Sequence, residues 1–140
     1  MEEILELRKC ILAQDYTEAL LIIDELEEMS KDDKIAKIKG YSVVLLIYLI
    51  KQIAENRTTR SWNNSILNSI EGIQDANKTR KAKGYYLNND ELIKAIESVF
   101  NRALRTASEE AFEGIYSSEE LLEKIIAYEI KQEAFELIKN

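Results

Sequence analysis

The segment YSVVLLIYLI, Tyr41–Ile50, decides how this chain folds. All of its residues except Ser42 are aliphatic or aromatic. A helix over this run is hydrophobic on every side for nearly three turns, so we predict that it is the central and most buried helix. The run is far shorter than the roughly 20 apolar residues that span a bilayer. We therefore expect no membrane-spanning segment.

The composition of the whole chain favours an all-α protein. The 140 residues are 46% hydrophobic and 32% charged, a mixture typical of globular proteins. There is no proline and there are only four glycines, fewer turn residues than a β-rich domain of this length needs. Leu, Glu, Lys and Ala, which are abundant, favour helices. We predict one domain, residues 1–140, built as a bundle of five to six helices.

Capping signals predict where these helices begin. A short polar side chain can cap a helix, and an acidic residue three positions later completes the capping box. The predicted starts are Asp15 with Glu18, Ser30 with Asp33, Thr58 or Thr59, Asn88 with Glu91, and Ser117 with Glu120. We expect the helix that carries Trp62 to end at Gly84, and the next to run to about Phe112, with Gly114 as its stop. The last helix is predicted to continue from Ser117 through Ile138.

Several reaction chemistries are excluded by composition. The chain has no histidine, which removes Ser-His-Asp and Cys-His systems and zinc sites built on imidazole. Its one cysteine, Cys10, has apolar neighbours and is expected to be a buried or half-buried small hydrophobe. No Gly-rich phosphate loop is present. We expect no cofactor, and the acidic N-terminus lacks a secretory pattern, so we expect a cytoplasmic protein.

Charge is distributed unevenly along the chain. The net charge is −8 over residues 1–33, +7 over 34–83 and −6 over 84–140. The simplest interpretation is that acidic and basic helices complement each other within the fold. The densest basic segment is followed by two tyrosines, a mixture that single-strand binders use, so weak nucleic-acid binding is one alternative function. The residues of this basic patch are Lys78, Arg80, Lys81 and Lys83.

Clustered glutamates give a second alternative. Acids at i, i+3 and i+4 share one helix face, and two such helices can hold Mg²⁺ on oxygen ligands. A Mg²⁺-dependent all-α nucleotide pyrophosphohydrolase would use such an arrangement. The candidate ligands are Glu109, Glu110, Glu113, Glu133 and Glu136. The competing interpretation is that these glutamates lie on solvated helix faces.

Several segments together resemble a known family. These are IIDELEEMSKDDKIAKIKGYSVVLLIYLIK, then RSWNNSI, then RALRTASEEA. They are similar to the family called domain of unknown function twenty-nine, which is abundant in cyanobacterial genomes. The resemblance covers roughly residues 14 to 126 and implies an α-helical fold without an established activity. Tyr48 stands where the family usually has histidine, so chemistry that used this histidine would not run the same way here.

The single tryptophan, Trp62, has two possible roles. It can pack back on the central helix as a structural residue, because it begins the stripe that continues through Ile66 and Ile70. It can instead form a partner-binding patch with Tyr48, Arg57 and Arg60. With little chemistry left open, our first expectation for function is a non-enzymatic protein-interaction or accessory module, acting on a protein partner or as a homo-oligomer.

Overall fold

The computed structural model describes residues 2–79 and 84–140 and confirms the all-α prediction. The described residues form six α-helices and no β-strand, with one isolated antiparallel bridge between Lys78 and Tyr85. The helices are α1 (Glu2–Leu12), α2 (Tyr16–Glu55), α3 (Arg60–Asn77), α4 (Asn89–Glu110), α5 (Ser118–Glu123) and α6 (Ala127–Ile138), with a 3₁₀ turn at Ala111–Gly114. No helix within these ranges has the length and apolarity needed to cross a bilayer.

The chain divides into two compact units. The N-terminal unit is Met1–Lys34 and the C-terminal unit is Ile35–Asn140. Whether residues 1–140 behave as one domain stays a prediction.

The core of the C-terminal unit is built around the predicted run. Leu45, Leu46 and Ile50 are fully buried there, and α4 and α6 supply most of the opposing side chains. The exception in the run, Ser42, is also fully buried, and its hydroxyl donates to the Ile38 carbonyl at 2.7 Å. Because that bond satisfies the hydroxyl within the helix, one serine is accommodated in an apolar environment.

One stripe of this run is not buried, contrary to the prediction that it is covered on every side. Tyr41 and Val44 are exposed, and Tyr48 is half-buried. These positions are spaced by three and four residues, so they lie along one face of α2. The Tyr41 ring extends over α3 at Gly72, where an added Cβ would come within 2.6 Å of the ring. The stripe leads to Tyr48, which lies close to Trp62.

The predicted helix start at Ser30 is wrong, because α2 continues from Tyr16 to Glu55 without a break. Ser30 and Asp33 are exposed in the helix interior. The residues around them are mostly Glu, Lys, Met and Ala, which favour helix, and no proline or left-handed residue interrupts them. A capping signal begins a helix only where the preceding backbone leaves helical geometry.

The N-terminal unit contains α1 and the first residues of α2. The turn between them is closed by a hydrogen bond from the Asp15 N–H to the Cys10 carbonyl, 2.8 Å, with Gln14 left-handed at φ 61°. This pattern is a Schellman ending of α1. Cys10 is half-buried, as predicted. Its partial burial and the nearby carboxylates of Asp15 and Glu18 raise the pKa of the thiol, which favours the neutral form.

Four of the predicted caps are confirmed. The Glu18 N–H donates to Asp15 at 3.3 Å and the Trp62 N–H donates to Thr59 at 3.1 Å. The pairs Asn88 with Glu91 and Ser117 with Glu120 form complete capping boxes, with both reciprocal bonds present. These starts were predictable because each depends on two residues within one turn.

The predicted end of α3 at Gly84 is wrong, because the helix ends at Asn77. Asn77 is 2% exposed and its amide makes three hydrogen bonds. Its Oδ1 accepts from the Leu87 N–H at 2.7 Å, and its Nδ2 donates to the Leu87 carbonyl at 3.1 Å and to Asn140 Oδ1 at 3.0 Å. The side chain thus ties the end of α3 to the segment before α4 and to the C-terminal end.

The last predicted helix is divided in two. After α5 ends, Ile126 is extended, with φ −112° and ψ 100°, and α6 begins at Ala127. Ile125 is buried in the core at this break.

The preceding helix, α4, ends at Glu110, and Phe112 and Glu113 are left-handed at φ 51° and 57°. Gly114, the predicted stop of α4, instead ends the 3₁₀ turn that follows: its φ is 77°, and a Cβ there would lie 2.9 Å from the Glu109 carbonyl oxygen.

Replacing Asn77 tests the hydrogen bonds that end α3. We expect Asn77→Ala to lower the free energy of unfolding by about 1–3 kcal/mol, because the buried Leu87 N–H loses its acceptor. The exposed Asn68→Ala on the same helix is the matched control and should change stability by less than about 0.5 kcal/mol. Urea unfolding measures both. Equal effects of the two substitutions would contradict this role for Asn77.

Candidate functional site: the groove beside Trp62

Trp62 lies at the start of α3, directly after the tight turn that follows α2. Thr59 caps α3 by accepting from the Trp62 N–H, which places the indole in the first turn of the helix. The residue is 9% exposed and therefore largely buried. Its position supports the structural role that its helical spacing predicts.

Two cations lie against the indole ring. The Lys51 Nζ is 4.7 Å from the ring centroid of Trp62, and the Arg57 Cζ is 4.6 Å from it. The Tyr48 ring lies 6.4 Å from the Trp62 ring, centroid to centroid, and 5.1 Å from the Lys51 Nζ. Cation–π contacts with tryptophan contribute about 0.5–2 kcal/mol each, more where water is excluded. The contacts hold the indole in one place.

A carboxylate completes the arrangement. Lys51 is 7% exposed, so its ammonium needs a partner. The Lys51 Nζ donates to Glu110 Oε1 at 3.2 Å, across 59 residues of sequence. The Glu110 side chain is 44% exposed and so keeps part of its hydration. We call Tyr48, Lys51, Arg57, Trp62 and Glu110 the Trp62 cluster.

Side-chain hydrogen bonds stabilise the turn between α2 and α3. The Gln52 amide donates to Thr58 Oγ1 at 2.7 Å and to Asn63 Oδ1 at 3.1 Å. Asn56 is left-handed at φ 50°, and the Arg57 N–H closes the end of α2 on the Gln52 carbonyl at 3.3 Å. Asparagine tolerates this conformation better than most residues. The turn therefore holds Arg57 in a defined place beside the indole.

An open groove of about 430 Å³ lies next to the cluster. One wall comes from the end of α2 and the following turn, and the other from the end of α4 and the 3₁₀ turn. Its lining residues are Lys51, Glu55, Arg57, Trp62, Glu110, Phe112, Glu113 and Ile115. Arg57 is itself paired with Glu55, Nε to Oε1 at 3.3 Å. Ile115, at the outer edge, is 73% exposed.

An aromatic pair stabilises the wall of the groove that carries Ile115. The rings of Phe112 and Tyr116 pack edge to face with centroids 5.2 Å apart, and the Lys124 Nζ lies 4.3 Å from the Tyr116 ring centroid. Phe112 also packs on the core. These contacts fix the backbone on either side of Ile115 and so fix the edge of the groove.

The sequence of the chain matches one family over most of its length. Residues 15–133 match the model of the family described as Domain of unknown function DUF29. The chain belongs to this family. The matched range includes every member of the Trp62 cluster and the whole groove lining. No curated protein and no solved structure matches the chain.

Three of the four partner-binding residues predicted for this DUF29 chain lie together. Tyr48, Arg57 and Trp62 belong to the cluster, whereas Arg60 is exposed at the first residue of α3 and makes none of the cluster's contacts. The prediction did not include Lys51, although a lysine directly after the apolar run signals a charge at the edge of the core. Ile115 was also missed, because no local pattern marks it.

The glutamates of the hydrolase alternative are all exposed in this DUF29 chain. Glu110 pairs with Lys51, and Glu136 pairs with Lys139 at 2.6 Å. Within residues 2–79 and 84–140, no group of three or more acidic or cysteine side chains is placed to hold a metal ion. The described residues therefore provide no support for the magnesium site.

The basic patch is only partly within the described residues. Lys78 is exposed, and its Nζ lies 4.0 Å from Asp75 Oδ1. Arg80, Lys81 and Lys83 lie outside the described residues. The flanking backbone is paired, with the Thr79 N–H donating to the Gly84 carbonyl at 3.1 Å. Nucleic-acid binding by this segment stays a prediction.

The ion pair of the cluster predicts an asymmetric response to mutation. Glu110→Ala leaves the buried ammonium of Lys51 without its anion and should lower the free energy of unfolding by about 1–3 kcal/mol. Lys51→Met removes the buried charge, keeps an unbranched chain against the rings, and should cost less than about 1 kcal/mol, since Glu110 stays hydrated.

Urea unfolding of the two variants measures this difference. The control is Glu109→Ala, an exposed neighbour on the same helix, which should change stability by less than about 0.5 kcal/mol. A larger loss for Lys51→Met than for Glu110→Ala would show that the lysine stabilises the fold by more than it costs to bury.

Proposed function

We propose that this chain is a non-enzymatic protein-interaction module, and that the groove beside Trp62 binds a short segment of a protein partner. The observation that carries the proposal is the combination of a fixed floor and an exposed edge. The floor is Trp62 with Lys51, both nearly buried, and the edge is Ile115 with Arg57, whose side chain is 54% exposed. Binding energy at protein interfaces concentrates on Trp and Arg side chains held in place before binding.

The backbone beside the groove adds a second argument. Asn56, Phe112 and Glu113 are three of the four non-glycine residues with positive φ in the described part of the chain, and they lie on the two walls. A residue in this region costs about 1–3 kcal/mol and persists where the surroundings enforce it. Such strain is common at binding sites, because it holds side chains in place in advance.

The charges beside the groove limit what the partner segment can be. Lys51 and Arg57 are already paired with Glu110 and Glu55, so the groove offers no free cation to an acidic ligand. Ile115 and the edge of Trp62 offer apolar contact. The partner segment should therefore carry an apolar side chain that packs between them. A cytoplasmic location is part of the same proposal, and a second copy of this chain is the alternative source of the bound segment.

Peptide selection tests the groove directly. A library of random peptides displayed on phage is selected on the folded protein, and the enriched peptides are synthesised and titrated by calorimetry. We expect Arg57→Ala and Ile115→Ser each to weaken binding about tenfold or more, since each removes contact at the edge.

The matched control is Leu67→Ser, which removes an exposed apolar side chain of α3 outside the groove. It should leave the affinity within about twofold. A selection without enrichment, or one in which no enriched peptide loses affinity for the Arg57 and Ile115 variants, would overturn the proposal. Light scattering on the wild type separately measures whether two copies associate.

A further inference from the structure

The N-terminal unit exposes an unusual amount of apolar side chain. Eight large hydrophobic residues are exposed among its 33 described residues, against eleven among the 102 described residues of the C-terminal unit. No residue of α1 is buried. Leu12, at 78%, is the most exposed large hydrophobic residue that the structure describes. Scattered apolar residues are ordinary on a surface, but this density over two helices marks an interaction surface.

The exposed apolar residues of α1 lie on one side of the helix. Ile4 and Ile11 are seven residues apart, as are Leu5 and Leu12, so they form two adjacent stripes. Arg8 lies between the stripes, while Glu2, Glu3, Glu6 and Lys9 lie around the rest of the helix. The eleven residues of α1 span about 16 Å, enough for roughly three turns of a partner helix. Two apolar residues at the start of α2 in the same unit, Tyr16 and Leu20, are also exposed, at 59% and 61%.

The charge of this unit decides what can cover it. Residues 1–34 carry eleven carboxylates and four cations, a net charge of −7. Two such units facing each other would repel, and an anionic lipid surface would repel the unit in the same way. A cationic partner would be attracted, and a helix that carries its own apolar stripe matches the shape of α1. The net negative charge of the unit and its exposed apolar stripes together favour a basic amphipathic helix.

We propose that the N-terminal unit is a second docking surface, independent of the groove, and that it binds a basic amphipathic helix of a partner protein. The Leu and Ile stripes of α1 contact the apolar face of that helix, and the surrounding carboxylates pair with its Lys and Arg side chains. Arg8 adds a cation within the apolar stripe. An acidic side chain of the partner would pair with Arg8 and so fix the register of the partner helix along α1.

A designed peptide tests this recognition chemistry. The probe is a fluorescein-labelled helix of lysine and leucine with all leucines on one face, titrated with the full chain and followed by fluorescence anisotropy. Two probes serve as comparisons: a scrambled peptide of the same composition, and a peptide with glutamate in place of lysine. We expect the amphipathic lysine peptide to bind at least about tenfold more tightly than either.

Variants of the chain locate the site. The pair Leu5→Ser with Leu12→Ser, and separately the pair Tyr16→Ser with Leu20→Ser, should weaken binding about tenfold or more. The control pair, Leu67→Ser with Leu122→Ser, removes two exposed leucines of the C-terminal unit and should change the affinity less than about twofold. All six side chains are exposed, and circular dichroism checks that each variant keeps its helices.

Three results would overturn the inference. Equal binding of the scrambled or glutamate peptide would show that neither the apolar face nor the charge is recognised. If both N-terminal double variants bound the lysine peptide with wild-type affinity, the site would lie elsewhere. A dimer of the wild type that Leu5→Ser with Leu12→Ser dissociates, measured by light scattering, would identify a second copy as the occupant. Peptides selected for the groove should bind the N-terminal variants with wild-type affinity. A failure of the N-terminal surface is then distinguishable from a failure of the proposed groove function.

Discussion

Burial of one side of the α2 run is the constraint on which the C-terminal unit depends. Leu45, Leu46, Leu49 and Ile50 lose nearly all contact with water, and each such side chain contributes about 1.5–3 kcal/mol when it is buried. No single neighbouring helix can cover that much apolar surface, so α4 and α6 must supply matching faces. Their buried residues recur every three to four positions, at Leu92, Ile96, Val99 and Ala103 on α4 and Ile130, Ala134 and Ile138 on α6.

The end of this run explains why the Trp62 cluster exists. Lys51 follows Ile50 directly, so the packing that buries Ile50 also draws the lysine into the edge of the core. A buried ammonium must be compensated, and Glu110 together with the two aromatic rings compensates it. The same contacts join the end of α2, the start of α3 and the end of α4. The contacts that compensate the buried lysine thus also hold in place the aromatic residue that forms the floor of the groove.

Features that depend on neighbouring residues could be predicted from the sequence. The buried side of the run and the caps at Thr59, Asn88 and Ser117 each follow from residues within a turn or two. Features that depend on distant partners could not. Asn77 ends α3 because its amide meets Leu87 and Asn140, and Lys51 meets Glu110 across 59 positions. Ser30 shows the opposite case, a local signal overridden by helix-forming residues on both sides.

Tryptophan fluorescence tests the central claim most directly, because Trp62 is the only tryptophan in the chain. If the indole packs against Lys51 and Arg57 at the edge of the core, native emission should be blue-shifted relative to N-acetyltryptophanamide. Acrylamide should then quench it slowly until urea unfolds the protein. Native emission and quenching equal to those of the free amide would place the indole in water and contradict this account.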